Sequence, residues 1–118
     1  MHEMSIARSL LEMIAQYAPA NGRARVKVVR LRIGELAGVI PESLRFCFEV
    51  ASEGTVAQGA ELQIEHVPVM SRCTDCRCDF EVEQYAFICP NCDSPNVELI
   101  SGNELDVIEL EVEEEGCP

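Results

Sequence analysis

The sequence predicts an α+β fold, in which two helices accompany a three- or four-stranded sheet and a cysteine-rich module is inserted before the last strands. Three observations lead to this prediction. Apolar residues recur at helical spacing in two segments and alternate with polar residues in several others. Five of the seven cysteines fall within residues 73–92. Strand-like sequence then resumes toward the C-terminus.

Two segments have the apolar spacing of amphipathic helices. Residues 4–18 form the first, which ends before Pro19 and the Asn21-Gly22 pair. The second begins at Pro41, where proline suits the first helical turn. The residues expected to face the core are Met4, Ala7, Leu11, Ile14 and Ala18 with Leu10 and Tyr17 beside them, then Leu44, Cys47, Phe48 and Ala51.

Further segments have the pattern of strands. In residues 26–33, three apolar residues alternate with two arginines, which indicates a half-buried strand. In residues 61–67, His66 shares the inward face with two aliphatic residues, so we expect a hydrogen-bonded histidine at the edge of the core. Its position just before the cysteine-rich module leaves a role as a hinge or as a second ligand open. Residues 105–112 are expected to return to the first sheet.

Length and composition limit the number of domains and the kind of protein that the chain can be. The chain has 118 residues, 47% of them hydrophobic, which suffices for one domain or for one domain with a small satellite. No apolar run approaches the ~20 residues that a membrane span needs. The first 17 residues mix charged and apolar side chains, which predicts a helix rather than a signal peptide. We therefore expect a cytoplasmic protein whose reduced cysteines are metal ligands or core residues.

The net charge of −12 is distributed unevenly. Residues 1–60 hold seven basic and six acidic residues, whereas residues 61–118 hold two basic and fifteen acidic ones. Nucleic acid and anionic membranes repel such an acidic half, so neither is expected as a partner.

Cys73, Cys76, Cys89 and Cys92 form two CxxC pairs separated by twelve residues. This spacing brings four thiolates to one tetrahedral ion at about 2.3 Å each, and thiolates favour zinc, with iron as the alternative. Four protein ligands leave no position for substrate, so the predicted site is structural rather than catalytic. A redox CxxC pair would begin a helix in a βαβ unit, and this sequence lacks that pattern.

The residues around these pairs allow further predictions. Cys78 is either a spare thiol near the site or a ligand that exchanges with Cys76. Phe80, Tyr85 and Phe87 are expected to cover the cysteine pairs. A zinc ribbon that binds nucleic acid would need basic residues here, and most of the charged neighbours are acidic.

His2 directly follows the initiator methionine, whose removal generally requires a small second residue. The α-amine, the first backbone amides and the His2 imidazole then form a short chelating segment. Nitrogen ligands in a square plane suit Ni(II) or Cu(II), and Glu3 adds an amide and a nearby carboxylate. The alternative is that His2 is an ordinary solvated residue.

No catalytic residues are predicted. The sequence contains no GxxxxGK[ST] phosphate loop, so the chain is not expected to hydrolyse nucleotides. No Ser/His/Asp or Cys/His nucleophile pattern stands out. We therefore expect a protein that is not an enzyme.

Together these features resemble the HypA/HybF family of hydrogenase nickel-incorporation proteins. The resemblance rests on MHEMSIARSLLEMI at the start, VVRLRIGELAGVIPESLRFCFE in the middle and the CxxC…CPNC module, and it covers nearly the whole chain. It implies a nickel metallochaperone for [NiFe]-hydrogenase maturation, a role that in some members extends to urease. It also implies Ni(II) at His2 and Glu3, and Zn(II) at Cys73, Cys76, Cys89 and Cys92. The implied partners are HypB, a nickel-handling GTPase, and the hydrogenase large subunit.

The predicted domains are a nickel-binding α/β domain of residues 1–68 with 97–118 and a zinc-ribbon-like domain of residues 69–96. Linkers near Pro68 and Val97 are expected to let the zinc-ribbon-like domain reorient and to permit a domain-swapped homodimer beside a monomer. Two other function classes stay open. One is a zinc-ribbon protein–protein interaction module without a nickel role, and the other is an electron-transfer protein with an iron tetrathiolate.

Overall fold

The computed structural model describes residues 3–18 and 24–114, which form two helices and six strands. In chain order these are α1 (Glu3–Tyr17), β1 (Ala24–Gly34), α2 (Pro41–Ala51), β2 (Glu61–Val67), β3 (Met70–Cys73), β4 (Asp79–Glu81), β5 (Val97–Ser101) and β6 (Leu105–Glu114). A short 3₁₀ turn at Glu35–Ala37 follows β1. This architecture confirms the predicted α+β class. Neither of the two helices is long and apolar enough to cross a membrane.

The strands form two three-stranded sheets. The first has the order β2-β1-β6 and the second has the order β4-β3-β5. The last strand therefore returns to the first sheet beside β1, as predicted. In the second sheet β3 is antiparallel to both neighbours, with Ser71 opposite Phe80 on one side and Leu99 on the other.

The chain divides into two compact units. The helical unit contains the described residues up to Leu31, residues 38–64 and the described residues from Val107 onward, and the cysteine unit contains residues 32–37 and 65–106. These boundaries differ from the predicted domains, because residues 32–37 and the strand β5 both belong to the cysteine unit. Composition suggested the predicted boundaries, whereas strand pairing and backbone contacts decide which unit a segment joins.

Apolar side chains form the core of the helical unit. α1 packs against α2, and the buried residues of α1, β1 and α2 recur at the spacing of their secondary structure. They are Ile6, Ala7, Leu10 and Ile14 of α1, Val26, Val29 and Leu31 of β1, and Leu44 and Phe48 of α2. The predicted core face of α1 was partly wrong, because Met4 and Leu11 are half-buried and Tyr17 is exposed.

His66 is exposed near the end of β2 rather than at the edge of the core. The inward face predicted for this strand is buried at Leu62 but only half-buried at Ile64. Alternation assigns a side chain to one face of a sheet, but whether that face is covered depends on what packs against it.

The core of the cysteine unit is small and includes two thiols. Its buried cluster consists of Val69, Cys73, Phe80, Val82 and Cys89. Half-buried Leu36, Cys78, Phe87 and Val97 pack against this cluster. Leu36 comes from the turn after β1, so the segment 32–37 contributes an apolar contact to this unit.

Two backbone segments approach each other closely beside that cluster. A Cβ atom on Gly34 would lie 2.1 Å from the carbonyl carbon of Gly102. The Gly34 N–H donates to the Glu104 carbonyl at 2.8 Å, and the Leu36 N–H donates to the Gly102 carbonyl at 2.6 Å. The absence of a side chain at Gly34 is therefore what lets residues 32–37 join the turn between β5 and β6.

Candidate metal centre

Each CxxC pair lies in a backbone loop with the same hydrogen bonds. In the first loop the Cys73 N–H donates to the Cys78 carbonyl at 2.9 Å, and the Arg77 N–H donates to the Cys73 carbonyl at 2.9 Å. The second loop repeats both bonds between its equivalent residues, at 2.9 and 2.8 Å. Two loops of one design therefore hold each pair of sulfurs on the same side of a tight turn.

Each loop contains a residue with a left-handed backbone directly after its second cysteine. Arg77 has φ 63° and Asp93 has φ 59°. This conformation costs a non-glycine residue roughly 1–2 kcal/mol, so other interactions of the loops must offset the cost. Four sulfurs sharing one ion would do so.

The loops bring together the four cysteines that the sequence predicted as ligands. The sulfurs of Cys73 and Cys92 are 3.6 Å apart, as are those of Cys76 and Cys89, and all four lie within 4.8 Å of one another. A tetrahedral ion with Zn–S bonds of about 2.3 Å separates its sulfurs by roughly 3.8 Å. The donor set and its spacing therefore fit a single tetrathiolate ion.

The two cysteines of each pair differ in exposure. Cys73 and Cys89, the first of each pair, are fully buried in the apolar cluster of the unit, whereas Cys76 and Cys92 are exposed. The metal centre is thus anchored in the core through one thiol of each loop, and its other side faces solvent.

The thiols differ in how readily they lose a proton. A hydrogen bond from the Asn91 amide and one from the Cys78 backbone N–H lower the pKa of Cys76 to about 6. At Cys92 the backbone N–H of Ser94 favours the thiolate, but the hydrogen bonds with Cys73 and the other neighbouring thiols outweigh it and raise the pKa to about 12. Within the group of four sulfurs, hydrogen-bond donors therefore favour the thiolate form of Cys76.

Cys78 lies outside the group of four sulfurs. Its thiol is half-buried against the apolar cluster and lies 3.7 Å from the Asp79 carbonyl oxygen. Burial, and then the charge of Cys76, raise the pKa of Cys78. This position favours the spare-thiol interpretation over exchange with Cys76.

The aromatic residues cover the cysteine pairs only in part. Phe80 is buried and Phe87 half-buried in the cluster that contains Cys73 and Cys89. Tyr85 is 71% exposed, so the prediction was wrong for this residue. Its backbone has a positive φ of 60°.

Of the two residues predicted to bind nickel, His2 lies outside the described residues and Glu3 begins α1. The Glu3 carboxylate accepts hydrogen bonds from the Ile40 N–H at 3.4 Å and the Ser43 hydroxyl at 3.3 Å. Ile40 is the N-cap of α2 and supplies no side-chain cap of its own, so Glu3 takes that role. Its own backbone N–H and that of Ile40 lower the pKa of Glu3.

Sequence analysis did not identify the polar residues around the thiols. Asn91 donates to the Cys76 sulfur at 3.5 Å, and Asp75 accepts from Ser94 and Asn96, which lower its pKa. Asp75 and Asn91 occupy the position before the second cysteine of each pair. The short polar side chains inside both CxxC loops were the sequence signal that could have identified these residues.

Comparison with known proteins identifies the family. Residues 1–112 match the sequence model of HypA, described as hydrogenase/urease nickel incorporation, metallochaperone. The chain is 41% identical over 116 residues to a hydrogenase maturation factor HypA of Chlorobium luteolum, covering 98% of this chain and 99% of that one. It is 46% identical over 113 residues to a hydrogenase maturation factor HypA of Geotalea uraniireducens, covering 96% and 100%.

A solved structure agrees with this identification. The solution structure of the Ni metallochaperone HypA from Helicobacter pylori matches with a TM-score of 0.63 and 30% sequence identity, covering 94% of this chain and 97% of that one. The match spans both units described above. The chain therefore belongs to the HypA family of hydrogenase/urease nickel-incorporation metallochaperones.

Proposed function

We propose that the chain binds Ni(II) at its N-terminus through His2 and Glu3 and helps to insert it into [NiFe]-hydrogenase, while Zn(II) is held by Cys73, Cys76, Cys89 and Cys92. The observation that carries this proposal is the family match over residues 1–112. Family members with this description handle nickel, and the cluster of four thiols supplies a separate, closed metal centre. In this proposal urease is a second possible target.

The chemistry of the two donor sets supports this division of roles. Four thiolates complete a tetrahedral shell and leave no open position, which suits an ion that stays bound. An imidazole with backbone nitrogens offers fewer and harder donors, which suits Ni(II) held for transfer. Because the Glu3 carboxylate caps α2, we expect Glu3 to contribute mainly through its backbone amide.

The proposal extends to the setting in which the protein acts. The partners are a HypB-type nickel-handling GTPase and the hydrogenase large subunit, and the compartment is the cytoplasm. The protein acts as a carrier rather than as an enzyme, with nickel as its cargo. It works as a monomer or as a homodimer.

The experiment that tests the proposal compares metal binding by the wild type, His2→Ala and His66→Ala. Zinc content is measured by elemental analysis and nickel binding by calorimetric titration. We expect one zinc in all three proteins, one nickel in the wild type and in His66→Ala, and no specific nickel in His2→Ala. His66 is the matched control because it is the other histidine of the chain and is exposed on β2.

Two outcomes would contradict the proposal. Equal nickel binding by the wild type and His2→Ala would show that His2 does not bind the nickel. Bound zinc with no specific nickel in any variant would leave a zinc-ribbon interaction module, for which exposed Tyr85 and Ile88 on the cysteine unit are candidate contact residues.

A further inference from the structure

The two cysteine loops are joined by hydrogen bonds that involve no sulfur. Thr74 of the first loop donates to the Asn96 carbonyl through its backbone N–H at 2.9 Å and through its hydroxyl at 3.0 Å. The neighbouring Asp75 carboxylate accepts from the Ser94 hydroxyl and from the Asn96 amide, the latter at 3.2 Å. Thr74, Asp75, Ser94 and Asn96 are called the interloop strap below.

The interloop strap is itself internally braced. The Asn96 N–H donates to the Ser94 hydroxyl at 3.1 Å, so this one hydroxyl is engaged from both sides. The Ser94 carbonyl accepts from the Cys89 N–H at 2.9 Å, which ties the strap directly to the second loop. Ser94 is only 9% exposed, whereas its partners Asp75 and Asn96 are exposed to solvent.

The strap spans the direction in which the site has to open. An ion held by four sulfurs loses two of its ligands at once when the first loop, with Cys73 and Cys76, separates from the second, with Cys89 and Cys92. The bonds of Thr74 and Asp75 to residues 94–96 resist that separation whether or not an ion is present. Residues that hydrogen-bond to metal ligands commonly change metal affinity by about 10–100-fold, and we expect the strap to act on the same scale.

We propose that Asp75 is a positioning residue whose bonds to Ser94 and Asn96 hold the two cysteine loops together independently of the metal and thereby slow the release of zinc. This inference rests on the zinc assignment of the proposed function. It does not depend on the nickel role of His2. Because the inference concerns hydrogen bonds between the loops, it also predicts that the negative charge of Asp75 has little effect on the rate of zinc release.

The experiment measures the rate at which zinc passes from the loaded, full-length protein to an excess of a coloured chelator. The variants are Asp75→Ala, which removes both bonds of the carboxylate, Ser94→Ala, which removes the bond between Ser94 and Asp75, and Asp75→Asn, which keeps an acceptor oxygen but loses the charge. Glu81→Gln is the control, because it removes one exposed charge on β4 outside both loops.

We expect release about 10–100-fold faster from Asp75→Ala and Ser94→Ala, a much smaller acceleration in Asp75→Asn, and the wild-type rate in Glu81→Gln. Cobalt(II) substitution should give the same thiolate-to-metal absorption in all variants, because the four sulfurs are unchanged. Amide exchange should rise at Thr74 and Asn96 and stay unchanged in α1 and α2, which separates a local effect from general destabilisation.

Several results would overturn the inference. One is a wild-type release rate in Asp75→Ala and Ser94→Ala. Another is equal acceleration in Asp75→Asn and Asp75→Ala, which would assign the effect to charge. Should Asp75→Ala fail to fold, Ser94→Ala and Asp75→Asn still decide between these results. A wild type without zinc would instead refute the proposed function, which keeps the two failures distinguishable.

Discussion

The helical unit and the cysteine unit are held together by different interactions. In the helical unit, Ile14, Leu44 and Phe48 are at most 2% exposed and belong to a core made of apolar side chains. In the cysteine unit the strands β3, β4 and β5 have only three to five residues, and two of the five residues in the buried cluster are thiols. The comparison indicates that apolar periodicity specifies one unit and cysteine spacing specifies the other.

This difference has an energetic basis. Burying an aliphatic or aromatic side chain contributes roughly 1.5–3 kcal/mol, and a core of several such residues can stabilise a small unit without help. A small apolar cluster with short strands gains much less, and small folds in that situation commonly depend on a bound metal. The two units should therefore respond to different mutations.

The largest expected effect is that of Cys89→Ser. Metal binding in small zinc modules contributes roughly 10–16 kcal/mol, and this variant removes a fully buried thiol that we propose as a zinc ligand. We expect loss of bound zinc and loss of amide protection in β3, β4 and β5, with α1 and α2 still protected in a hydrogen-exchange experiment. The control is Cys78→Ser, which should keep its zinc. A folded cysteine unit in Cys89→Ser would show that the apolar cluster suffices.

Phe48→Ala tests the same comparison in the helical unit. Phe48 is 2% exposed in the core of the helical unit, and truncation of a buried phenylalanine costs about 3–5 kcal/mol. We expect a lower urea midpoint for the helical circular-dichroism signal, while zinc content stays at the wild-type value. Phe46→Ala on the same helix is the control, because Phe46 is 66% exposed and should lose little stability. Loss of zinc from Phe48→Ala would mean that the two units do not unfold separately.

Gly34→Ala tests the attachment of residues 32–37 to the cysteine unit. The added Cβ would meet backbone atoms of Gly102 at 2.1 Å, and backbone moves less readily than a side chain. We expect destabilisation by about 1–3 kcal/mol, the usual range for overpacking, measured by urea unfolding. Gly38→Ala is the matched control, because nothing lies within 4 Å of its added Cβ and only the φ of +71° costs energy. A loss in Gly34→Ala no larger than that in Gly38→Ala would contradict the close contact between Gly34 and Gly102.

Ser71→Ala should stabilise the protein by about 1 kcal/mol. The Ser71 hydroxyl is buried on β3 and has no hydrogen-bond partner, and such a group costs roughly 1–3 kcal/mol. Ser52→Ala is the opposite case, because the equally buried Ser52 hydroxyl donates to the Glu49 carbonyl at 3.1 Å. Chemical unfolding should therefore show a gain for Ser71→Ala and a loss for Ser52→Ala. A loss for both would mean that the Ser71 hydroxyl is satisfied in solution.

The smallest effect concerns Glu3 and depends on pH. Because hydrogen bonds from its own N–H and that of Ile40 lower its pKa, the carboxylate stabilises the folded state above its ordinary pKa of 4.5. That contribution is lost as the pH falls through the lowered value. The wild type should be slightly more stable than Glu3→Gln at neutral pH, and the difference should shrink below pH 4.5 in urea unfolding followed by circular dichroism. A difference independent of pH would contradict the capping role.

The sequence predicted well the features that depend on local spacing. The CxxC pattern alone predicted that four sulfurs come together, because two tight turns determine which sulfurs can meet. They are those of Cys73, Cys76, Cys89 and Cys92. Residues 61–67 and the start of α2 at Pro41 were also predicted at their observed bounds. Helix and strand periods are set by the backbone, so apolar spacing reports them directly.

The tertiary structure alone decided what lies next to each of these elements. It exposed His66 and Tyr17, joined residues 32–37 to the cysteine unit through the Gly34 and Gly102 contact, and placed the Glu3 carboxylate at the start of α2. These outcomes depend on which segments distant in sequence come together, and the pattern of a single segment carries little information about its neighbours. Cysteine spacing therefore determined which thiols come together, whereas long-range packing determined which side chains are covered and which distant segments contact each other.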